Sequence, residues 1–294
     1  MNTILKYARL VKFSHTIFAM PFALIAFVYA VKFAAPADSV SDPYWWAMLL
    51  VQVVLCMVFA RNVAMGFNRW ADRFIDADNP RTAMREIPAG KISSREAVWF
   101  IAINAVLFII TAATINPLCG WLSPVALAVV MFYSYCKRFT SLAHVVLGIS
   151  LGIAPVGATI AVCGTITLES IILALGVMCW SAGFDIIYAL QDAEFDRQRG
   201  LCSIPSRFSA FTSLVISAVL HVASISLIVL YTLYQPQSWL VWLGCALFAA
   251  ILALEHILVT PTRQRNIGIA FGTLNALASV AYGVALILNL LIFG

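Results

Sequence analysis

The sequence predicts an all-α membrane protein with nine transmembrane helices. The 294-residue chain is 63% apolar and only 11% charged, with a mean hydropathy of +0.96. A chain with so little polar surface cannot cover a soluble globule, so its composition favours a membrane-embedded fold. Its apolar residues cluster in runs long enough to cross roughly 30 Å of hydrocarbon. The nine runs cover residues 14–34, 44–67, 97–115, 119–136, 143–163, 168–190, 211–233, 238–260 and 268–292.

The first run follows a basic segment and could be mistaken for a secretion signal. It is long, however, and no small-residue cleavage site precedes Lys32, so we expect it to remain as the first span. The second and sixth runs each lead into an acidic motif, while polar or short connections separate the others. The connections left over are too short or too polar to supply a tenth span.

The two acidic motifs, at residues 68–76 and 188–196, suggest an internal repeat. Asp72 corresponds to Asp192 and Asp76 to Asp196, at a constant offset of 120 positions (192 − 72 and 196 − 76). We therefore predict one domain over residues 1–294, built from two pseudo-repeated four-helix halves at about 1–140 and 141–260, with an extra helix at 268–292. The alternative is a chance similarity between two transitions from membrane to loop.

The basic residues predict the orientation of the chain. Of the 18 Lys and Arg residues, all except Lys32 and Arg61 fall in the N-terminal segment or in every second connection. Short loops that are rich in Lys and Arg remain in the cytoplasm. We therefore expect the N-terminus and both acidic motifs on the cytoplasmic side, and the C-terminus outside.

The acidic motifs predict a magnesium site. On a helix, carboxylates four residues apart lie on one face, about 6 Å apart along the axis. Carboxylates near hydrocarbon are expensive unless they are paired, bound to metal or hydrated. Mg²⁺ takes oxygen ligands, commonly one or two carboxylates together with substrate phosphates. The candidate ligands are Asn68, Asp72, Asp76, Asp192 and Asp196.

Basic residues interleaved with these acids are suited to phosphate oxygens. The alternative is that they only orient the chain and touch lipid headgroups. For Lys137, beside Tyr133 at the end of the fourth span, we favour a functional role. The candidate substrate-binding residues around the motifs are Arg81, Arg85, Tyr133, Lys137, Arg138, Tyr188 and Arg197.

Two charged residues lie deeper in the spans. Arg61 precedes Asn68 by seven residues, and Asp185 precedes Asp192 by seven, so each lies about two turns below its motif on the same helix face. Arg61 could hold an organic carboxylate, and Asp185 could receive or orient a phenolic proton. Alternatively, Arg61 and Asp185 neutralise each other.

The cysteines and histidines give weaker evidence of a functional role. The seven cysteines are scattered, without metal-ligand spacing, so we expect neither disulfides nor a zinc site. His144 and His221 are isolated, and Glu255 and His256 favour packing or a local pair. We expect the lipid bilayer as a partner, and no nucleic acid.

At its motifs the chain resembles the UbiA superfamily of intramembrane aromatic prenyltransferases. That family has a first motif of the form NxxxDxxxD, a segment like RTxxRxxPxG and a second DxxxD near the end of the sixth helix. One DxxxD alone would be a weak signal, but two joined by the arginine segment are specific. The matching residues are Asn68, Asp72, Asp76, the segment 81–90, Tyr188, Asp192 and Asp196.

The resemblance implies transfer of a polyprenyl group from its diphosphate to an aromatic carboxylic acid in a bacterial cytoplasmic (inner) membrane. It implies that the motif residues hold Mg²⁺ bridged to diphosphate, that Lys137 and nearby arginines neutralise the leaving group, and that Arg61 orients the acceptor. Arg69 stands where the quinone-pathway enzymes commonly have an aspartate. This departure resembles a branch that includes 4-hydroxybenzoate polyprenyltransferase-like and MqnP-like enzymes, which leaves 4-hydroxybenzoate and 1,4-dihydroxy-6-naphthoate open as acceptors for ubiquinone or menaquinone biosynthesis.

Two alternatives remain at this stage. One is another UbiA-type prenylation, of haem or chlorophyll precursors. The other is a transporter with duplicated helix bundles, which predicts acids at the bilayer midplane and broken helices in both halves. The acids cluster instead at predicted helix ends, among arginines suited to diphosphate, and this favours the prenyltransferase.

Overall fold

The computed structural model describes residues 3–11, 18–35 and 43–294, and these residues form mostly helices. Lys12 and the first residues, 14–17, of the predicted first span lie outside the described residues. The helices are α1 (Thr3–Leu10), α2 (Met20–Phe33), α3 (Pro43–Ala71), α4 (Arg73–Asp78), α5 (Ser94–Ile115), α6 (Pro117–Cys136), α7 (Ala143–Cys163), α8 (Leu168–Ala189), α9 (Ala193–Gln198), α10 (Ile204–Arg207), α11 (Ala210–Thr232), α12 (Trp239–Leu258), α13 (Ile267–Ile269) and α14 (Asn275–Phe293).

The predicted fold class is confirmed. Within the described ranges, eight helices are long and apolar enough to cross a membrane, and α2 is a shorter apolar helix. These nine helices follow the predicted order, and α7 has the predicted bounds of residues 143–163. The second span is longer than predicted, since α3 continues to Ala71 and carries Asn68 and Arg69 on its last turn.

The bundle closes around α8, the most deeply buried of the long helices. Helix α8 packs between α7 and α11, α3 packs against α5 and α6, and α14 packs between α12 and α2. Trp180 of α8 is fully buried in an aromatic core with Phe22 and Phe248. This core fixes α8, and with it the second acidic motif, in the centre of the molecule.

Small residues bring α7 and α8 unusually close together. A Cβ atom at Gly148 would lie 2.5 Å from the carbonyl oxygen of Met178, and one at Gly152 would lie 2.8 Å from that of Ala174. Glycines four residues apart allow such close backbone approach between membrane helices. Because of this contact, the beginning of α7 lies directly beside the end of α8, where the second motif begins.

A π-helical turn shapes the helix that faces the second motif. Residues Ala270–Leu274 form this turn between α13 and α14. Asn275 donates a hydrogen bond to the Ala270 carbonyl across it, and accepts one of 2.6 Å from the indole of Trp180. Turns of this kind widen a helix and occur often at functional sites. Here the turn presents Phe271, whose ring centroid lies 4.1 Å from that of Tyr188.

Both acidic motifs lie where a long helix ends and a short one begins. Asp72 is the N-cap of the six-residue helix α4, and Asp192 is the N-cap of the six-residue helix α9. The second aspartates, Asp76 and Asp196, lie inside these short helices. The regular α-helix expected through each motif is interrupted at its first aspartate: Asp72 is a single turn residue, and Asp192 ends a short 3₁₀ turn. The two motifs share this local structure, while the repeat of whole halves stays a prediction.

Candidate active site

The predicted site residues line a polar cavity of about 240 Å³ where α3, α6 and α8 end. All four motif aspartates line it, so the fold brings the two acidic motifs together as predicted. The other predicted residues in its walls are Arg61, Asn68, Arg81, Arg85, Tyr133, Lys137, Asp185 and Tyr188.

Asp72 is almost fully buried, and cations from α6 neutralise it. Lys137 Nζ lies 2.6 Å from its Oδ2, and Arg138 Nη2 lies 3.4 Å from its Oδ1. Asn68 also donates a hydrogen bond of 3.3 Å to Oδ2. Arg138 is anchored further by a 2.6 Å hydrogen bond to the Ala71 carbonyl, beside the cavity. The first motif and the end of α6 thus form one charged unit.

Asp76 is held by the loop that follows it. Arg85 Nη1 lies 2.7 Å from Asp76 Oδ1, and the Thr82 hydroxyl donates to the Asp76 backbone carbonyl. The second carboxylate oxygen, Oδ2, is buried and has no hydrogen-bond partner among the described residues. A buried carboxylate oxygen without a partner is unusual and indicates a site for a cation or a donor that arrives from outside.

Asp192 receives two side chains from the loop after the first motif. Arg81 forms a bidentate ion pair with it, and Asn79 donates a hydrogen bond of 3.1 Å to Oδ1. Arg81 also donates to the Tyr188 hydroxyl. Burial lowers the pKa of the Arg81 guanidinium, but its interactions with Asp192 and Tyr188 outweigh this effect, so the pKa lies above its usual value. The Arg81 guanidinium therefore remains charged at any physiological pH.

Further contacts join the two motifs. Asp196 accepts a hydrogen bond of 2.8 Å from the Ser203 hydroxyl. At the rim, Arg199 Nη2 lies 2.5 Å from Asp78 Oδ2, so the loop after the second motif is tied to the end of the first. An exposed pair of this kind contributes little stability by itself. Its importance is geometric, because it bridges the same two motifs as the Arg81–Asp192 pair.

Asp185 pairs with His144, which the sequence analysis left as an isolated histidine. His144 Nδ1 lies 2.7 Å from Asp185 Oδ2, and the Ile204 backbone N–H donates to His144 Nε2. Since Nε2 accepts a hydrogen bond, Nδ1 carries the ring proton and donates to Asp185. In the described structure Asp185 therefore pairs with His144, and the alternative that Arg61 and Asp185 neutralise each other is wrong.

The walls of the polar cavity also contain two arginines of α3, Arg61 about two turns below the first motif and Arg69 within it. Arg61 and Arg69 both line the cavity, and the Nε atom of each is buried without a hydrogen-bond partner among the described residues. Tyr133 lines the same cavity. Sequence reasoning noted Arg69 only as a departure from a motif, and did not place it in the site.

A larger apolar cavity of about 490 Å³ adjoins the polar one. Helices α3, α5, α6, α7 and α8 contribute to its walls. The residues common to both cavities are Phe18, Arg61, Met65, Tyr133, Leu147 and Leu151. The two cavities thus form one continuous site with a charged end and an apolar end.

The donor set fits magnesium that arrives with a phosphate. Within residues 3–11, 18–35 and 43–294, no three His, Cys, Asp or Glu side chains are grouped closely enough to hold an ion by themselves. Mg²⁺ usually takes one or two carboxylates and completes its shell with water and substrate phosphates. The unpartnered Oδ2 of Asp76 and the neighbouring carboxylates of the cavity match this requirement.

Two predicted residues lie outside the cavity walls. Arg138 reaches the site only through Asp72 and Ala71. Arg197 is more than half exposed and pairs with Glu194 at 2.8 Å on the surface of α9, so its position lends no support to the predicted substrate role. Conversely, sequence reasoning missed Arg69, Asn79, Thr82 and His144.

Comparison with known families matches almost the whole chain. The model of the UbiA prenyltransferase family matches residues 19–280. A 4-hydroxybenzoate octaprenyltransferase of Yersinia pseudotuberculosis serotype IB (strain PB1/+) is 34% identical over 207 residues, which are 70% of this chain and 69% of that protein. The enzyme of the same name from Yersinia enterocolitica serotype O:8 (strain 8081) is 34% identical over 72% of this chain and 71% of its own.

Solved structures share the fold. A UbiA homologue from Aeropyrum pernix K1, solved without ligand, superposes with a TM-score of 0.80 at 28% identity, covering 93% of this chain and 97% of that one. A UbiA homologue from Archaeoglobus fulgidus, bound to geranyl diphosphate (GPP) and Mg²⁺, gives a TM-score of 0.68 at 22% identity, over 96% of this chain and 99% of that one.

Proposed function

The chain belongs to the UbiA prenyltransferase family and is a membrane-bound polyprenyltransferase, and on this premise we propose its reaction. It transfers a polyprenyl group from polyprenyl diphosphate to an aromatic carboxylic acid, with Mg²⁺ as cofactor. The acceptor is 4-hydroxybenzoate or 1,4-dihydroxy-6-naphthoate, and the product is a precursor of ubiquinone or menaquinone.

The observation that carries this proposal is the continuity of the two cavities. A polyprenyl diphosphate has an insoluble tail and a polyanionic head, so its site must be apolar at one end and charged at the other. The cavity of about 490 Å³ offers the first environment, and the acidic and basic cavity of about 240 Å³ offers the second. A transporter would instead place its acids at the middle of the helices.

The cations of the site are suited to the departure of diphosphate. Arg81, Arg85 and Lys137 each neutralise a motif aspartate. When diphosphate binds, these side chains would turn to its oxygens, where bidentate guanidinium contacts are strong. Mg²⁺, when bound by the motif carboxylates, supplies charge neutralisation to the leaving group. The carbon–oxygen bond then breaks, and its electron pair leaves with the diphosphate.

The acceptor lies on the deeper side of the polar cavity. Arg61 holds its carboxylate, and an electron-rich ring carbon attacks the allylic carbocation to form the new carbon–carbon bond. The ring carbon then loses its proton, and Asp185, which His144 orients, is the base placed to receive a proton there. The apolar wall keeps water away from the carbocation and so prevents hydrolysis.

The protein is an integral membrane protein, and we propose that it lies in a bacterial cytoplasmic membrane with its charged cavity facing the cytoplasm. The Lys and Arg residues between the spans support this orientation.

The experiment that tests the reaction is an assay in isolated membranes. Polyprenyl diphosphate and Mg²⁺ are supplied with 4-hydroxybenzoate or with 1,4-dihydroxy-6-naphthoate, and prenylated products are detected by mass. We expect one acid to be prenylated in wild-type membranes and neither in membranes with Asp192→Ala. Failure of both acids, beside a related enzyme that is active in the same assay, would refute the proposed acceptor class.

A further inference from the structure

Arg69 is a buried cation that the proposed reaction does not yet use. It is 5% exposed, and it follows Asn68 on the last turn of α3. It makes no hydrogen bond or ion pair with any residue in the described ranges, and its Nε atom is buried without a partner. Its guanidinium group lies in the wall of the polar cavity. A buried charge of this kind requires an anionic partner, because desolvation strongly disfavours it.

The neighbouring acids do not supply this partner. Asp76 interacts with Arg69 electrostatically, but its Oδ1 is paired with Arg85 at 2.7 Å. Arg85 and Arg61 both repel Arg69. Asp72, Asp76 and Asp192 each have a cation of their own that can turn to a diphosphate, whereas Arg69 is paired with no acid in the described ranges. Because no acid of the described residues is left to pair with it, Arg69 is suited to an anionic ligand.

The position of Arg69 relative to Arg61 indicates which ligand. Residues 61, 65 and 69 follow one another at four-residue spacing, so they lie along one side of α3. Eight residues correspond to about 12 Å along the helix. Met65, which lines both cavities, lies between the two arginines along α3, and Tyr133 also lines both cavities. The two cations thus flank one elongated space rather than a single point.

We propose that Arg69 binds the ring hydroxyl of the acceptor as a phenolate, the phenolic proton being released to solvent, while Arg61 binds the carboxylate at the opposite end of the same molecule. This inference rests on the proposed function and deepens it. The acceptor class becomes an aromatic acid with a hydroxyl group at the end of the ring opposite the carboxylate. Arg69 also acquires a catalytic role, because negative charge on the phenolic oxygen makes the adjacent ring carbon a better nucleophile.

The test is ligand binding to the purified protein in detergent, with no prenyl donor present. The probes are 4-hydroxybenzoate and benzoate, which differ only in the ring hydroxyl. We expect wild type to bind 4-hydroxybenzoate more tightly than benzoate. Arg69→Gln should lower the affinity for 4-hydroxybenzoate by roughly 10- to 100-fold, which is the range for a hydrogen bond to a charged group. The affinity for benzoate should stay within about a factor of two of the wild-type value. Arg61→Gln should weaken both acids.

Control variants separate this role from a general loss of structure. Arg73→Gln removes an arginine four residues away that stacks on Trp70 and Phe74 outside the cavity, so it should change neither affinity. Because Arg69→Gln removes an unpaired buried charge, the ligand-free variant should unfold at a temperature no lower than wild type. Arg69→Lys, which keeps the charge, should retain part of the preference for 4-hydroxybenzoate.

Binding of geranyl diphosphate with Mg²⁺ is measured on the same variants. If Arg69→Gln lowers the affinity for geranyl diphosphate and leaves the affinity for 4-hydroxybenzoate unchanged, the arginine binds the prenyl donor and the inference is overturned. Equal loss of both acids, or no loss of either, also overturns it. A failure of the membrane assay together with a selective effect on 4-hydroxybenzoate would refute the proposed reaction but not the binding role of Arg69.

Discussion

Lys137 Nζ lies 2.6 Å from Asp72 Oδ2, so a cation at the end of α6 neutralises the first aspartate of the first motif. We expect this cation to transfer to the diphosphate in the reaction. Lys137→Met should raise the KM for polyprenyl diphosphate by roughly 10- to 100-fold and leave the KM for the acceptor nearly unchanged. Steady-state kinetics check this, with Lys91→Met, in an exposed loop, as the control. A change in the KM for the acceptor alone would assign Lys137 to the acceptor site instead.

The two motifs are predicted to act on one metal–diphosphate. Asp72→Asn and Asp192→Asn should each lower kcat by roughly 100- to 1000-fold, because each removes charge that stabilises the leaving group through the metal. Glu194→Gln is the matched control, since Glu194 belongs to the second acidic stretch but pairs with Arg197 on the exposed surface of α9. Near-normal turnover in either motif variant would remove that motif from the mechanism.

The contact between His144 and Asp185 predicts that a change of His144 alters kcat but not the KM for the diphosphate. Without the imidazole, Asp185 is no longer oriented, so His144→Leu should lower kcat by roughly 10- to 100-fold. The KM for the diphosphate should change little, and His144→Gln, which can still donate a hydrogen bond, should recover part of the activity. His221→Gln is the control, because His221 is a buried histidine that contacts His256 away from the cavity. An effect on the diphosphate's KM instead would assign His144 to the donor site.

The close approach of α7 and α8 predicts opposite effects for two glycine variants in one helix. At Gly148 a methyl group would lie 2.5 Å from the Met178 carbonyl, so Gly148→Ala should destabilise the protein by about 1–3 kcal/mol. At Gly157 a Cβ atom would meet nothing within 4 Å, so Gly157→Ala should be neutral or stabilising by up to about 1 kcal/mol. Thermal unfolding in detergent measures both. Equal behaviour of the two variants would contradict the packing of α7 on α8.

The distribution of Lys and Arg predicts on which side of the membrane the C-terminus lies. A reporter that works only outside the cytoplasm should be active when it is fused after Gly294. The reason is that nine spans place the two ends of the chain on opposite sides of the membrane. A matching fusion after Arg265, in the connection between α12 and α13, should report the cytoplasmic side. Signals of the same sign from the two fusions would contradict the predicted topology.

Hydropathy predicted the spans well because the bilayer imposes a length on each apolar run. The predicted seventh run, 211–233, differs from α11 by a single residue at each end. The helix breaks at Asp72 and Asp192 were missed, since no Gly or Pro marks them in the sequence. Contacts between the ends of packed helices determine such breaks, and these contacts are not local.

The spacing of the acidic residues was sufficient to find the charged end of the site. The contact between His144 and Asp185 could not be found in this way, because it joins two helices across 41 residues of sequence. Arg69 could have been found. Its spacing of four residues from Met65 and eight from Arg61 places it on the cavity side of α3, whereas the seven-residue interval from Arg61 to Asn68 points only to Asn68.

The apolar cavity has a volume of about 490 Å³. Cavities of roughly 300–1,000 Å³ enclose drug-sized molecules, and a long polyprenyl chain is bulkier than such a molecule. We therefore expect the protein to hold only the isoprene units next to the diphosphate, while lipid acyl chains surround the distal end of the tail. In that arrangement the bilayer completes the substrate site, and the length of the product follows the diphosphate that the cell supplies.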